Sequence, residues 1–404
     1  MKILYLNPAG HLGGAERVLL DLMAGMREAK SDWRLDLVTA MDGALVTAAR
    51  EIGVAVTVAA FPRPLARLGD AGAGGPAGSQ MGLWKVCGRL GAAAPMVGGY
   101  LRRLRRTIAE SAPDVVHTNG FKMHLLGVWA TPRATPVLWH LHDYVRMRPM
   151  MSRLLRLHAR RCAAVVANSR SVAADARAAL GADVRMFTVY NAVDLARFNP
   201  DGSRLDLDAL AGMAPLAAGG VRVGLPATMA RWKGHETFLH AIAALPRDTP
   251  VRGYVIGGPL YQTTGSQYQI DELRAIAGRL GIGDRVGFTG FVDDAASALR
   301  ALDIVVHAST QPEPFGLVIA EAMACGRAVI ASAGGGAAEI ISPGVNALDH
   351  APGDAAALAA RIAELAASPG ERQRLGTAAF RFAGQRFSRA RLATEMTPVY
   401  RGLA

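Results

Sequence analysis

Two glutamates and a lysine hold the spacing most suggestive of chemistry in this sequence. Glu313 and Glu321 stand eight positions apart within residues 311–332, QPEPFGLVIAEAMACGRAVIAS. The first lies in a Pro-Phe-Gly loop and the second in a stretch rich in Ala and Met that reads as a helix. Residues 302–309, LDIVVHAS, and 327–331, RAVIA, read as parallel strands that are apolar on both faces. The order is strand, loop, helix, strand, which puts Glu313 and the backbone N–H groups of Phe315, Gly316 and Leu317 at the helix entrance. In an open α/β sheet, ligands sit outside the carboxyl ends of the strands, where helix N-termini offer N–H donors to phosphates. A carboxylate there accepts hydrogen bonds from sugar hydroxyls, so the combination suits a nucleotide sugar. Lys233 and Gly234 stand at the entrance of another helix, beginning near His235 after a strand at 221–226. A lysine so placed neutralises a diphosphate leaving group.

The stretch 311–332 resembles the E-x7-E signature of family 4 of the retaining glycosyltransferases, enzymes of the two-domain GT-B fold. The resemblance implies that Glu313 touches the donor sugar and Glu321 holds the nucleotide ribose, with Phe315, Gly316 and Leu317 also at the donor. It covers nearly the whole chain and is strongest over 221–341. By the same resemblance, Gly13 and Gly14 in GHLGGAE (10–16) lie against the donor diphosphate. His142, opening an HD turn with Asp143, reaches the donor sugar, and backbone near Val292 in GFVDD meets the base. Asn191 and Asp194 in FTVYNAVDLARF match the family's N-G-V-D turn, with Ala192 where glycine is usual. The expected architecture is α/β, two Rossmann-like doubly wound domains facing across a cleft. Residues 1–190 form the acceptor-binding half, 191–388 the nucleotide-sugar half, and the helix 389–404 crosses back to the first.

The implied reaction moves a hexosyl group from a UDP- or GDP-linked donor to a sugar or lipid-linked hydroxyl with retention. The leaving phosphate itself takes the acceptor proton. One departure stands out: the family's arginine five residues before the lysine is Thr228 here, and Arg231 is the candidate to replace it. Asp293 and Asp294 lack metal-ligand spacing and read as a helix N-cap. Neither a metal nor a cofactor is expected.

Around these residues the chain reads as alternating strands and helices. Strands are expected at 2–7, 35–39, 54–58, 113–119, 136–142 and 165–169 in the first half, the fourth and fifth ending in His117 and in His140 and His142. Further strands are expected at 251–257 and 285–289, with a helix at 271–280 between them. Gly334–Gly336 precede a helix containing Glu339. Residues 69–82, GDAGAGGPAGSQMG, are too rich in Gly, Ala and Pro to pack regularly and read as a loop, either over the acceptor site or an inert insertion. Residues 100–108, YLRRLRRTI, form a short helix with four arginines, read either as a face for an anionic membrane surface or as a solvated basic face.

Composition limits the rivals. With 404 residues, two or three domains can each bury a core. The net charge of +12 comes from 45 basic residues of which five are lysine, favouring anionic partners. Aromatics at 6% and scattered arginines argue against a nucleic-acid or other anionic-polymer binder. No G-x-G-x-x-G follows the first strand, against a dinucleotide oxidoreductase. A GT-B nucleotide-sugar epimerase remains the enzymatic alternative. Cys87, Cys162 and Cys325 have no pairing or ligand pattern. The apolar run after Met1 is too short for a signal peptide, and no run is long enough to span a bilayer, so a cytoplasmic protein, peripheral on the inner face of the membrane, is expected.

Overall fold

The computed structural model describes residues 1–62, 83–259 and 265–404, and the side chains of 83–95 are outside that description. The Gly-rich stretch 69–82 and the Cys87 thiol therefore lie outside the described residues. The chain divides into two compact units, Met1–Ala192 with Arg389–Ala404, and Val193–Ser388.

The first unit is built on seven parallel strands: β1 (Lys2–Asn7), β2 (Arg34–Thr39), β3 (Ala55–Val58), β4 (Val115–Asn119), β5 (Val137–Leu141), β6 (Ala164–Ala167) and β7 (Met186–Thr188). Their order is 3-2-1-4-5-6-7. The second unit has six: β8 (Val221–Pro226), β9 (Val251–Ile256), β10 (Val286–Gly290), β11 (Ile304–His307), β12 (Ala328–Ser332) and β13 (Leu348–His350), in the order 10-9-8-11-12-13. Strands such as β4, β5, β11 and β12 are buried at every position because helices cover both faces, which is why their sequences are mostly apolar, with polar residues toward their carboxyl ends. In each sheet the order reverses beside the first strand, between β1 and β4 and between β8 and β11. Loops leaving the carboxyl ends of those pairs splay apart and open a crevice.

The helix Arg389–Arg401 belongs to the first unit although 196 residues separate it from Ala192. Arg389 donates two hydrogen bonds, 2.8 and 2.6 Å, to Asp21 Oδ1 on the helix Gly14–Ala29. Gly25 admits the contact, since a Cβ there would stand 2.7 Å from the Arg389 carbonyl oxygen. Arg391 donates to the carbonyls of Tyr190 and Asn191.

The basic helix differs from the short element expected at 100–108. It runs Leu83–Ser111, and Tyr100, Leu104 and Ile108 are buried in the first unit's core. Arg103 and Arg105 donate to the carbonyls of Ala60 and Trp129, and Arg106 pairs with Glu110. Over 100–108 its apolar edge therefore packs into the protein's own interior. Among the described residues no helix is long and apolar enough to cross a membrane.

Candidate functional site

In the second unit, Lys233 and Glu313 come from the loops after β8 and β11, the two strands flanking the reversal. Their side chains meet with Lys233 Nζ 2.7 Å from Glu313 Oε2. Three features of the backbone bring this about. Gly234 sits in the left-handed region at φ +78°, and a Cβ there would fall 1.8 Å from the Ala308 carbonyl oxygen. Only glycine allows this approach, which presses the turn Arg231–Lys233 onto the end of β11. The Thr310 N–H then donates to the Trp232 carbonyl at 2.8 Å. On the other side, Gly336 N–H donates to the Glu313 carbonyl at 2.7 Å and Glu313 N–H to the Gly334 carbonyl at 3.3 Å. The Gly334–Gly336 turn thus fixes the main chain of Glu313.

Two residues with no role assigned from the sequence complete the cluster. Ser309 donates to Glu313 Oε2 at 2.8 Å, and His307 Nε2 lies 3.2 Å from the same oxygen. Both are buried, as is His350, whose Nε2 approaches the His307 carbonyl at 3.3 Å. The signal for them was available: His307 and Ser309 are two apart at a strand end and so share a face. Burial alone would raise the Glu313 pKa. The Lys233 charge and the His307 contact overcome it and hold the carboxyl well below the usual carboxylate range. Glu313 is therefore a fixed anion, a hydrogen-bond acceptor that does not shuttle protons near neutral pH.

Glu321 lies half-buried in the second turn of the helix Leu317–Ala324, whose N-cap is Gly316 at φ +93°. Phe315 is buried beside Phe387, with ring centroids 5.8 Å apart. The first N–H groups of this helix have no acceptor within it, and Glu313 precedes them closely in the chain. Val292 is half-buried after β10, and Asp294 caps the helix Ala295–Arg300 by accepting from the Ala296 N–H. Asp294 is thus the cap, and Asp293 beside it is exposed.

Arg231 goes elsewhere. Its guanidinium donates to Glu272 at 2.7 Å and to the Gly265 carbonyl, and lies 4.3 Å from the Tyr268 ring centroid. Arg231, the candidate to replace the arginine absent at Thr228, thus points away from Lys233, because a 3-10 turn aims residues 231 and 233 to different sides.

In the first unit, Gly13 caps the helix Gly14–Ala29 with ordinary φ −83°, and a Cβ on Gly14 would meet nothing within 4 Å. A Cβ on Gly13 would instead stand 2.8 Å from Glu16 Oε2, so the backbone is open at Gly14 and covered by the Glu16 carboxylate at Gly13. His142 follows β5 directly, its ring centroid 4.1 Å from that of His140, and both its ring nitrogens are buried without a hydrogen-bond partner. Burial lowers its pKa to about 4, so the ring is neutral at pH 7. Behind it, His140 Nδ1 lies 3.2 Å from His117 Nε2, and His117 Nδ1 lies 2.7 Å from the Tyr400 hydroxyl on the C-terminal helix.

Comparison with known proteins follows the same division. Residues 223–382 match the model of "Glycosyl transferases group 1", and residues 12–197 that of "Glycosyltransferase Family 4". A D-inositol 3-phosphate glycosyltransferase of Xylanimonas cellulosilytica is 35% identical over 245 residues, 59% of this chain and 56% of that protein. The lipopolysaccharide core biosynthesis mannosyltransferase LpsB of Rhizobium meliloti is 27% identical over 54% of this chain and 66% of its own. The chain spans about half the length of the D-inositol 3-phosphate glycosyltransferases it matches. Among solved structures, HepE of Anabaena in complex with UDP and glucose superposes with a TM-score of 0.80 at 28% identity, covering all of both chains. With two doubly wound parallel sheets and family models matched over both, the chain belongs to the family 4 glycosyltransferases and has their GT-B fold.

Proposed function

We propose that this protein transfers a hexosyl group from a UDP-linked sugar to a hydroxyl acceptor with retention of configuration. The observation that carries the reading is the part-buried Lys233–Glu313 pair beside a helix N-terminus, at the reversal point of the second sheet. The HepE structure with UDP and glucose supports uridine over guanosine. The relatives, which include an inositol phosphate glycosyltransferase and a lipopolysaccharide mannosyltransferase, support a transferase over an epimerase and a glycan or sugar phosphate acceptor.

Each residue's part follows from its surroundings. Lys233 carries three N–H donors, enough to keep Glu313 while reaching a diphosphate oxygen as negative charge builds on the leaving group. The N–H groups opening the helix Leu317–Ala324, including that of Leu317, add dipolar support to the same charge. Arg231, turned to Glu272, takes no part. Glu313, permanently ionised, accepts from donor-sugar hydroxyls and favours positive charge developing at the anomeric carbon. Glu321 holds the ribose, and backbone at Val292 meets the base. In the first unit, Gly14 supplies open backbone to the diphosphate, Gly13 does so once the Glu16 carboxylate gives way, and neutral His142 gives one donor and one acceptor to the sugar. The bond from the anomeric carbon to the leaving phosphate breaks as the acceptor oxygen bonds on the same face. The departing phosphate oxygen receives the acceptor's proton, so no side chain with a neutral pKa is needed as base.

The test is thermal-shift binding against UDP, GDP, ADP and their sugars. A ligand at 100 times its Kd adds about 2.7 kcal/mol to the stability of the unit that binds it. Stabilisation by UDP ligands alone, lost in Lys233→Ala, is expected. Stabilisation by GDP alone would reassign the base, and silence across the panel would refute the donor reading.

A further inference from the structure

Between β5 and β6 the chain presents a surface that is both basic and partly apolar. Residues 143–161 contain six arginines and a single acid, Asp143. Within them, the helix Pro149–His158 turns Leu155 inward, and Met151 and Leu154 pack against the core. Its outward side carries Met150, 64% exposed, and Leu157, 76% exposed, with exposed Arg153 between them. Positions 150, 153 and 157 are spaced to form one stripe along a helix. Met147, 60% exposed, precedes the helix.

The arginines divide into two sets. Arg148 is paired with Asp143 at 3.5 Å, and Arg161 donates to the Thr131 carbonyl. Arg146, Arg153, Arg156 and Arg160 are exposed, and their guanidinium groups find no ion pair or hydrogen bond among the described residues. Single exposed hydrophobic residues are ordinary. Three within eleven residues, set among uncompensated guanidinium groups, have the make-up of a helix that lies in a membrane interface.

We infer that the outward face of the helix Pro149–His158 docks on an anionic lipid bilayer. Met150 and Leu157 enter the acyl boundary, while Arg146, Arg153, Arg156 and Arg160 meet headgroup phosphates. An acidic protein surface would satisfy the arginines but leave the apolar stripe unexplained. The inference does not rest on the transferase reading, because lipid binding needs no sugar donor.

Flotation of the full chain with vesicles tests it, comparing phosphatidylcholine alone with phosphatidylcholine containing phosphatidylglycerol, at low and high salt. Binding to the anionic vesicles only, weakened by salt, is expected. Met150→Ser with Leu157→Ser should lower partitioning at least about tenfold. Arg153→Glu with Arg156→Glu should lower it further, since each arginine charge near such a surface is worth about fivefold. Arg102→Glu with Arg106→Glu on the helix Leu83–Ser111 serves as the control and should change it less than about threefold. All these positions are exposed, and unchanged melting confirms folded variants. No flotation with anionic vesicles, or binding indifferent to both variants of the helix Pro149–His158, would overturn the inference. Loss with the arginine pair but not the apolar pair would overturn the inserted stripe.

Discussion

Replacing Glu313 by glutamine should separate donor binding from sugar transfer. The Lys233 charge is offset by a carboxylate 2.7 Å away, so a diphosphate meets a nearly neutral pair. The amide removes one negative charge while keeping an oxygen able to accept from Lys233 and Ser309. Repulsion between a carboxylate and a diphosphate charge about 7 Å apart is about 2.4 kcal/mol at an effective dielectric of about 20. Salt and the partial exposure of Lys233 reduce this to roughly 1 kcal/mol, or about fivefold tighter UDP binding. Lys233→Ala should do the opposite, weakening UDP by about tenfold to a hundredfold through the loss of a charge-assisted hydrogen bond. It also leaves a buried carboxylate without its counter-ion, which destabilises the second unit by roughly 1–3 kcal/mol after allowance for solvent. The double variant should recover part of that loss, because the stranded charge is gone. Transfer, in contrast, should fall by about a hundredfold or more in Glu313→Gln. Calorimetric titration with UDP at two ionic strengths, beside a donor-transfer assay, reads both quantities. If Glu313→Gln weakened UDP as much as Lys233→Ala, the carboxylate would be a binding group and the charge argument would fail. Retained transfer would remove Glu313 from the chemistry.

Two other perturbations follow from the geometry. Arg231→Ala should leave UDP affinity within about twofold and cost roughly 1 kcal/mol or less, the value of an exposed ion pair and ring contact; a tenfold loss of UDP affinity would show that the guanidinium leaves Glu272 for the donor. Acid should weaken the first unit before carboxylates titrate. Burial lowers His142 to about 4 and His117 to about 3, and His140 and His124 also lie well below the ordinary histidine value. These rings stay neutral in the folded unit while the unfolded chain binds protons below about pH 6.5, so stability is complete above that value and declines as pH falls toward 4. Each ring should cost about 1 kcal/mol by pH 5.5. Urea midpoints of the first unit's transition at pH 7.5 and 5.5 measure the decline, and a midpoint that did not move would refute it.

Much of this fold is legible in the chain because its strands are buried on both faces. Apolar runs such as the IVV of IVVH and the AVIA of AVIAS cannot be exposed without cost, so they announce parallel strands covered by helices. The loop from Glu313 to Gly316 is equally readable, since Pro and Gly end the strand and the following apolar run restarts as a helix. Asp294 capped its helix because an aspartate acts on N–H groups two or three residues ahead, a purely local matter. Local spacing says which way a side chain leaves its own element, but not what it finds there. Lys233 meets Glu313 across 80 residues and Arg231 meets Glu272 across 41, because a 3-10 turn parts the two side chains and a glycine packs that turn against β11. His307 and Ser309 became part of the site by the same packing. The arginine-bearing helices make the point most plainly: Leu104 and Ile108 lie in the core, whereas Met150 and Leu157 face solvent. Sequence alone determined the alternation of elements, the glutamate spacing and the positions of the turns. Which charges are neutralised, and which apolar edges remain outside, was decided by tertiary packing, because both depend on groups far apart in the chain.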